Sequence, residues 1–170
     1  MKIFVRPRAW ILNHLESDSE WHYNKWVISI YSTDSQSPFL PRYNVLPLQF
    51  DDVTEKDKDG IHFTAEMAKE IVNFISDIKN DNKIFYVHCD AGVSRSGAVG
   101  YLLNEWFNKF INNNIEDNEF FLNQNSHIMP NPEVVRILKN EMFGVPFMNI
   151  EVNDYEYDED GEKIDHFSKI

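Results

Sequence analysis

No part of this chain restricts its fold more than the stretch from Ile84 to Gly100, IFYVHCDAGVSRSGAVG. It opens on Ile84-Phe85-Tyr86-Val87, a short and continuously apolar run of the kind found in strands buried on both faces of a parallel sheet. Small and polar residues follow from Cys89 to Ser94. From Arg95 the apolar residues recur with helical spacing. Strand, tight loop and helix N-terminus, in that order, make a site for an anion. Backbone N–H groups converge in the loop, and the unpaired amides of the first helical turn add partial positive charge.

Two side chains say what such a site does with the anion. Arg95 lies six residues after Cys89, at the exit of the loop, and a guanidinium binds two phosphate oxygens through a planar fork. The same positive surroundings favour thiolate over thiol, bringing a cysteine from ~8.5 into the range ~3.5–7.5. A nucleophilic sulfur beneath a tetrahedral oxyanion points to transfer of phosphate onto sulfur. A buried cysteine and an unrelated arginine would share this spacing by chance in roughly one chain in twenty. Chance does not also supply His88 before the cysteine, Gly92 in the loop, Ser96 after the arginine and a buried strand leading in.

The run His88-Cys89-x5-Arg95-Ser96 resembles the signature of the cysteine-dependent protein tyrosine phosphatases. The wording AGVSRS is similar to the dual-specificity branch, which reads SRS where the tyrosine-specific branch reads GRT. The resemblance implies a single α/β domain with a central, mostly parallel sheet flanked by helices.

The 170 residues suit one domain, read as 1–150, with an acidic tail at 151–170 taken as a solvated end. Apolar residues at 42% and aromatics at 14% are enough for a folded core. With a single cysteine no disulfide framework can form within the chain, which suits a reducing, cytoplasmic setting and leaves Cys89 free for chemistry. No apolar stretch reaches membrane-spanning length, and the N-terminus lacks the shape of a signal peptide. A net charge of −12 argues against nucleic-acid and anionic-membrane surfaces. The expected partner is a phosphoprotein substrate, and the chain is taken as a monomer.

Along the chain, Lys2–Val5 reads as a strand, and Pro7 suits the first turn of a helix running to about Leu15. Trp26–Ile30 reads as a buried strand. Ser32–Pro41 is a polar loop, followed by Arg42, a solvated cation. Val45–Phe50 is a strand in which Pro47 marks an edge or a bend. Thr64 caps a helix whose apolar face is Met67, Ala68, Ile71, Val72, Ile75 and Ile78. This alternation predicts right-handed crossovers, helices on both faces, and the anion loop at the carboxyl end of a strand. After the loop, Val99, Leu102, Leu103, Trp106, Phe107 and Phe110 form one helical face directed into the core. Glu116–Leu122 reads as a short helix. Asn131 caps a last helix with Pro132 at its first position, ended by Gly144-Val145-Pro146. Dual-specificity phosphatases similarly carry Pro-Asn at the start of a late helix.

Family resemblance also implies the remaining site residues. An aspartate on the loop after the strand at 45–50 acts as acid and then as base. The family pattern of apolar, any, apolar, any, Asp matches Leu48-Gln49-Phe50-Asp51-Asp52 and selects Asp52, with Asp51 as the alternative. The stretch from Asp52 to Cys89 is longer than the dual-specificity pattern. Ser96 would hydrogen-bond the sulfur and ease its departure, while His88 supports the loop. The amides of Asp90, Ala91, Gly92, Val93, Ser94 and Arg95 would hold the phosphate, with the Asp90 carboxylate turned away from it. Arginine and backbone amides supply the charge stabilisation, so neither metal nor other cofactor is expected. A phosphoinositide, an RNA 5′-triphosphate or another small phosphate ester would be an alternative substrate. A non-catalytic phosphoprotein-binding module is the alternative of a different class.

Overall fold

In the computed structural model, which describes residues 1–39, 42–76, 78 and 83–144, four strands lie side by side. They are β1 (Lys2–Pro7), β2 (Trp26–Tyr31), β3 (Val45–Gln49) and β4 (Ile84–Cys89), in the order β1-β4-β2-β3. Every pairing is parallel. The signature strand β4 is therefore internal, as its continuous apolar run requires. Pro47 falls in β3, the edge strand, where its missing N–H breaks no interior ladder. β1 forms the other edge. There the Asn125 side chain accepts from the Val5 N–H (2.7 Å) and donates to the Ile3 carbonyl (3.0 Å), covering polar groups that an edge strand would otherwise expose.

Helix α1 (Arg8–Ser17) follows β1 directly, with Pro7 as the last extended residue before it rather than inside its first turn. Alternate strand residues divide between two faces. Val27, Val45 and Tyr86 pack with Ile11, Phe39, Trp10 and Trp21 on the α1 side. Ile3, Val5, Ile28, Ile30, Phe85 and Val87 belong to the larger core on the other side. That core is closed by α2 (Ala65–Ser76), α3 (Arg95–Asn104) and α5 (Pro132–Phe143). Helices thus cover both faces, but unevenly.

The predicted α2 face is buried or half-buried throughout, and Thr64 Oγ1 accepts the Met67 N–H at its start. Asn131 caps α5 by accepting the N–H groups of Glu133 (3.0 Å) and Val134 (3.2 Å). Gly144 closes it at φ 63, a left-handed position suited to glycine. Helix α4 (Ile115–Gln124) starts one residue earlier than expected and lies beside β1.

One expectation fails. Phe110 does not join the core; it is 69% exposed. Beyond α3 the chain continues as a π-helical segment, Glu105–Ile111. Its wider turns advance less angle per residue than an α-helix, so a face extrapolated at 3.6 residues per turn drifts off the core. Phe107 is still buried, whereas Phe110 and Ile111 have swung to the surface. The tail at 151–170 lies outside the described residues. Among the described residues no helix is long and apolar enough to cross a membrane.

Candidate active site

Because all four strands run the same way, their carboxyl ends meet at one edge of the sheet, the place where open α/β sheets gather ligands. Arg8 follows β1, Ser32 follows β2, Phe50-Asp51-Asp52 follows β3, and the loop from Cys89 follows β4. The loop is fixed from behind. Gly92 adopts φ 73, and a Cβ there would lie 2.4 Å from the Pro7 nitrogen and 2.5 Å from the Arg6 carbonyl carbon. Only glycine allows the loop to rest on the β1–α1 junction. The Arg8 N–H donates to the Asp90 carbonyl (3.1 Å), and Met129 N–H and Asn131 N–H donate to the carbonyls of Val93 and Ser94 (both 3.2 Å). His127 Nε2 lies 3.2 Å from the Gly92 carbonyl.

Cys89 is buried at the base of this loop. Its Sγ accepts the Gly92 N–H (3.3 Å) and lies 3.0 Å from Ser96 Oγ. An inward N–H and a neighbouring hydroxyl are the partners an anionic sulfur needs. Arg95, the first residue of α3, is 5% exposed. Its Nη1 donates to the Phe50 carbonyl and to Ser32 Oγ, both at 2.8 Å, and its Nη2 donates to Asp90 Oδ2 at 2.6 Å. Its Nε is buried with no hydrogen-bond partner.

The two candidate acids differ in environment. Asp51 accepts the N–H groups of Ile61 (2.8 Å) and Thr33 (3.0 Å) and the Thr33 hydroxyl (3.2 Å). The Ile61 and Thr33 amides hold its carboxyl below the usual aspartate range, so it stays ionised. Asp52 is exposed and reaches the loop itself. Its Oδ1 accepts the Ser94 hydroxyl (2.7 Å) and Asn131 Nδ2 (2.8 Å). Of the two, it is Asp52 that touches the loop.

His88 and Cys89 are neighbours in β4, so their side chains leave opposite faces of the sheet. His88 lies on the α1 side, against Phe39, fully buried and with neither ring nitrogen hydrogen-bonded. Burial, reinforced by the nearby Arg8 charge, lowers its pKa to about 4 and keeps the ring neutral. It lies on the opposite face of the sheet from Cys89, against Phe39, and adds no positive charge. Asp90 departs from the expectation that its carboxylate turns aside: it is paired with Arg95 and accepts the Ser32 hydroxyl at 2.6 Å. Burial alone would raise its pKa. The Ser32 hydroxyl and the Arg95 guanidinium, with Arg8 farther off, outweigh that and lower it.

Ser32 and the side-chain amide of Asn131 are site residues that the sequence reading left out. Ser32 could have been sought as the residue leaving a strand's carboxyl end, where ligands gather. Asn131 was legible as a helix cap, but nothing in the sequence signals that its Nδ2 crosses to Asp52. Among the described residues, no group of three or more His, Cys, Asp or Glu is arranged to hold a metal ion.

No protein-family model matches the chain, and no curated protein sequence is significantly similar to it. Solved structures are similar. A human tyrosine phosphatase-like serine/threonine/tyrosine-interacting protein superposes with a TM-score of 0.52 at 18% identity, over 81% of this chain and 89% of its own. The Cydia pomonella PTP-2 phosphatase superposes at 0.53 with 20% identity, over 82% and 85%. With four parallel strands and a cysteine-to-arginine loop at their carboxyl ends, this chain has the fold of the tyrosine phosphatases and phosphatase-like proteins.

Proposed function

We propose that the protein is a phosphomonoester hydrolase that acts on phosphotyrosine in proteins through a phosphocysteine intermediate, with phosphoserine and phosphothreonine as the further substrates the test below decides. The observation that carries the reading is the pairing of a buried Cys89 Sγ, already accepting a loop amide, with an Arg95 guanidinium that opens the following helix and has Nε unpartnered. In a guanidinium the Nε–H and one Nη–H lie side by side, the fork that grips two phosphate oxygens.

In the first step the Cys89 thiolate attacks phosphorus. The bond to the ester oxygen breaks, and that oxygen leaves with the electron pair and takes a proton from Asp52. Arg95 and the loop amides bear the charge that builds on the non-bridging oxygens. In the second step the Asp52 carboxylate takes a proton from water as the water oxygen attacks phosphorus. The S–P bond breaks, its electron pair returns to Sγ, and the Ser96 hydroxyl donates to the departing sulfur. Inorganic phosphate leaves and the thiolate is restored. The contact of Asp52 with Ser94, inside the loop, supports its role over that of Asp51.

The test is phosphate release from matched phosphotyrosine and phosphothreonine peptides, with Cys89→Ser run alongside at equal thermal stability. Release from phosphotyrosine that Cys89→Ser abolishes is expected, and unchanged release by that variant refutes the mechanism. Likeness to a phosphatase-like interacting protein favours a second reading, in which the site binds phosphoproteins without turning them over. Tight binding of both peptides with no release would select it.

A further inference from the structure

We propose, resting on the phosphatase reading above, that Asp90 makes the site selective for phosphate esters flanked by positive charge: a phosphopeptide with Arg or Lys beside the phosphorylated residue, not an ester carrying further anionic groups. Both Nη1 hydrogens of Arg95 are engaged, one by the Phe50 carbonyl and one by the Ser32 hydroxyl. A phosphate that uses the Nε and Nη2 fork leaves those two bonds intact but comes to share Nη2 with Asp90. The carboxylate then stands beside the bound phosphate. It is 38% exposed, so it also faces whatever the phosphate is attached to.

Charge around the phosphate does not compensate for it. Arg95 and Arg8 are the cations that act on Asp90 among the described residues, and Arg95 is buried and shared. Against them stand Asp90, Asp51 and Asp52, two of them tied directly to the loop or its arginine. The loop after Asp52 sets Glu55, Asp57 and Asp59 against Lys56 and Lys58 and so relieves none of this, and the chain as a whole carries −12. A second phosphate or a flanking glutamate would enter surplus negative charge, whereas a flanking arginine or lysine would meet Asp90. Ser32 fixes this arrangement from the other side, because one hydroxyl donates to Asp90 and accepts from Arg95.

The experiment compares kcat/KM for two phosphotyrosine peptides that differ only in arginines or glutamates on either side of the phosphotyrosine, with a short-chain phosphoinositide monophosphate as third substrate. The full chain and its Asp90→Asn variant are both measured. Partly exposed charge pairs of this kind give a preference of roughly tenfold for the arginine-flanked peptide, shrinking as salt is raised. Asp90→Asn should bring the ratio to within about threefold of unity. The ratio is taken within one protein preparation, so a loss of folded material cancels. Equal rates on the two peptides, a faster phosphoinositide, or a ratio unchanged by Asp90→Asn would overturn the proposal while leaving the phosphatase reading in place. No Cys89-dependent release from any of the three would overturn both.

Discussion

Replacing Asp51 and Asp52 by alanine, one at a time, separates a carboxylate that holds a loop from one that does chemistry. Asp51 loses its bonds to the Ile61 and Thr33 amides and the Thr33 hydroxyl. Each contributes about 0.5–1.5 kcal/mol in a half-exposed setting, so the variant should lose about 1–3 kcal/mol. For a domain of this size that lowers Tm by roughly 3–10 °C. Asp52 is exposed, and water can replace its bonds to Ser94 and Asn131, so Asp52→Ala should lose only about 1 kcal/mol. Its loss in turnover should be far larger. A positioned general acid contributes on the order of 10²–10⁴ in rate, or about 3–5 kcal/mol of barrier.

Thermal unfolding and two substrates read both effects. On a phosphotyrosine peptide the leaving oxygen needs a proton, and Asp52→Ala should be slower by that factor of about 10²–10⁴. On an aryl phosphate whose leaving group is stable as an anion, the deficit should shrink by at least roughly tenfold, because the acid has less to contribute. Asp51→Ala should melt lower yet keep turnover within about threefold on both, since it removes no proton donor. The reverse order of turnover, or a deficit for Asp52→Ala that is equal on the two substrates, would show that the wrong aspartate has been assigned.

Gly92→Ala should fail in both stability and turnover. Its Cβ would overlap the Arg6–Pro7 backbone at a left-handed φ, costing about 2–5 kcal/mol, and a melt within about 2 °C of the parent would contradict the packing. His88 gives a pH signature. Its pKa is about 4 when folded, against 6.5 in the unfolded chain, so the unfolded state binds more protons between those values. The stability it permits is fully present above about pH 6.5 and falls by roughly 2–4 kcal/mol as pH drops towards 4. Asp51 and Asp90, with lowered pKa values, act at still lower pH and do not blur that window. Denaturant titrations across pH 7.5 to about 4.5 should show the slope; His22, whose pKa burial also lowers, adds a smaller part of the same sign, so His88→Asn, which does not titrate, should remove most of it. An identical slope in the variant would mean that another group is responsible.

What the sequence disclosed and what it withheld divide along a physical line. The motif from Ile84 to Gly100 was legible because its strand, loop and helix are contiguous, and the side chains of Cys89, Arg95 and Ser96 sit within them. Helix caps at Thr64 and Asn131 were legible for the same reason, since a cap acts on amides two or three residues away. Ser32, Arg8 and the amide of Asn131 reach the site only through topology. Parallel strands bring the ends of β1, β2 and β3 beside β4, and no local pattern records which side chain then falls within hydrogen-bond distance. Phe110 was misplaced for a different reason. A period of 3.6 was carried into a segment that winds as a π-helix, and one wide turn is enough to reverse which residues face the core.

Asp90 shows the same limit within the motif itself. Considered against a phosphate alone, a carboxylate in the loop ought to turn away, and that argument is sound as far as it reaches. It leaves out Arg95, whose guanidinium has five donors to satisfy in a buried position and holds a neighbouring carboxylate in a direct ion pair. Once Ser32 arrives from β2 to bridge the two, the pair is fixed by three mutually consistent hydrogen bonds. The carboxylate then belongs to the binding surface. On the selectivity proposed above, the identity of a single loop residue, neutral or acidic, sets which charges accompany the phosphate into the site.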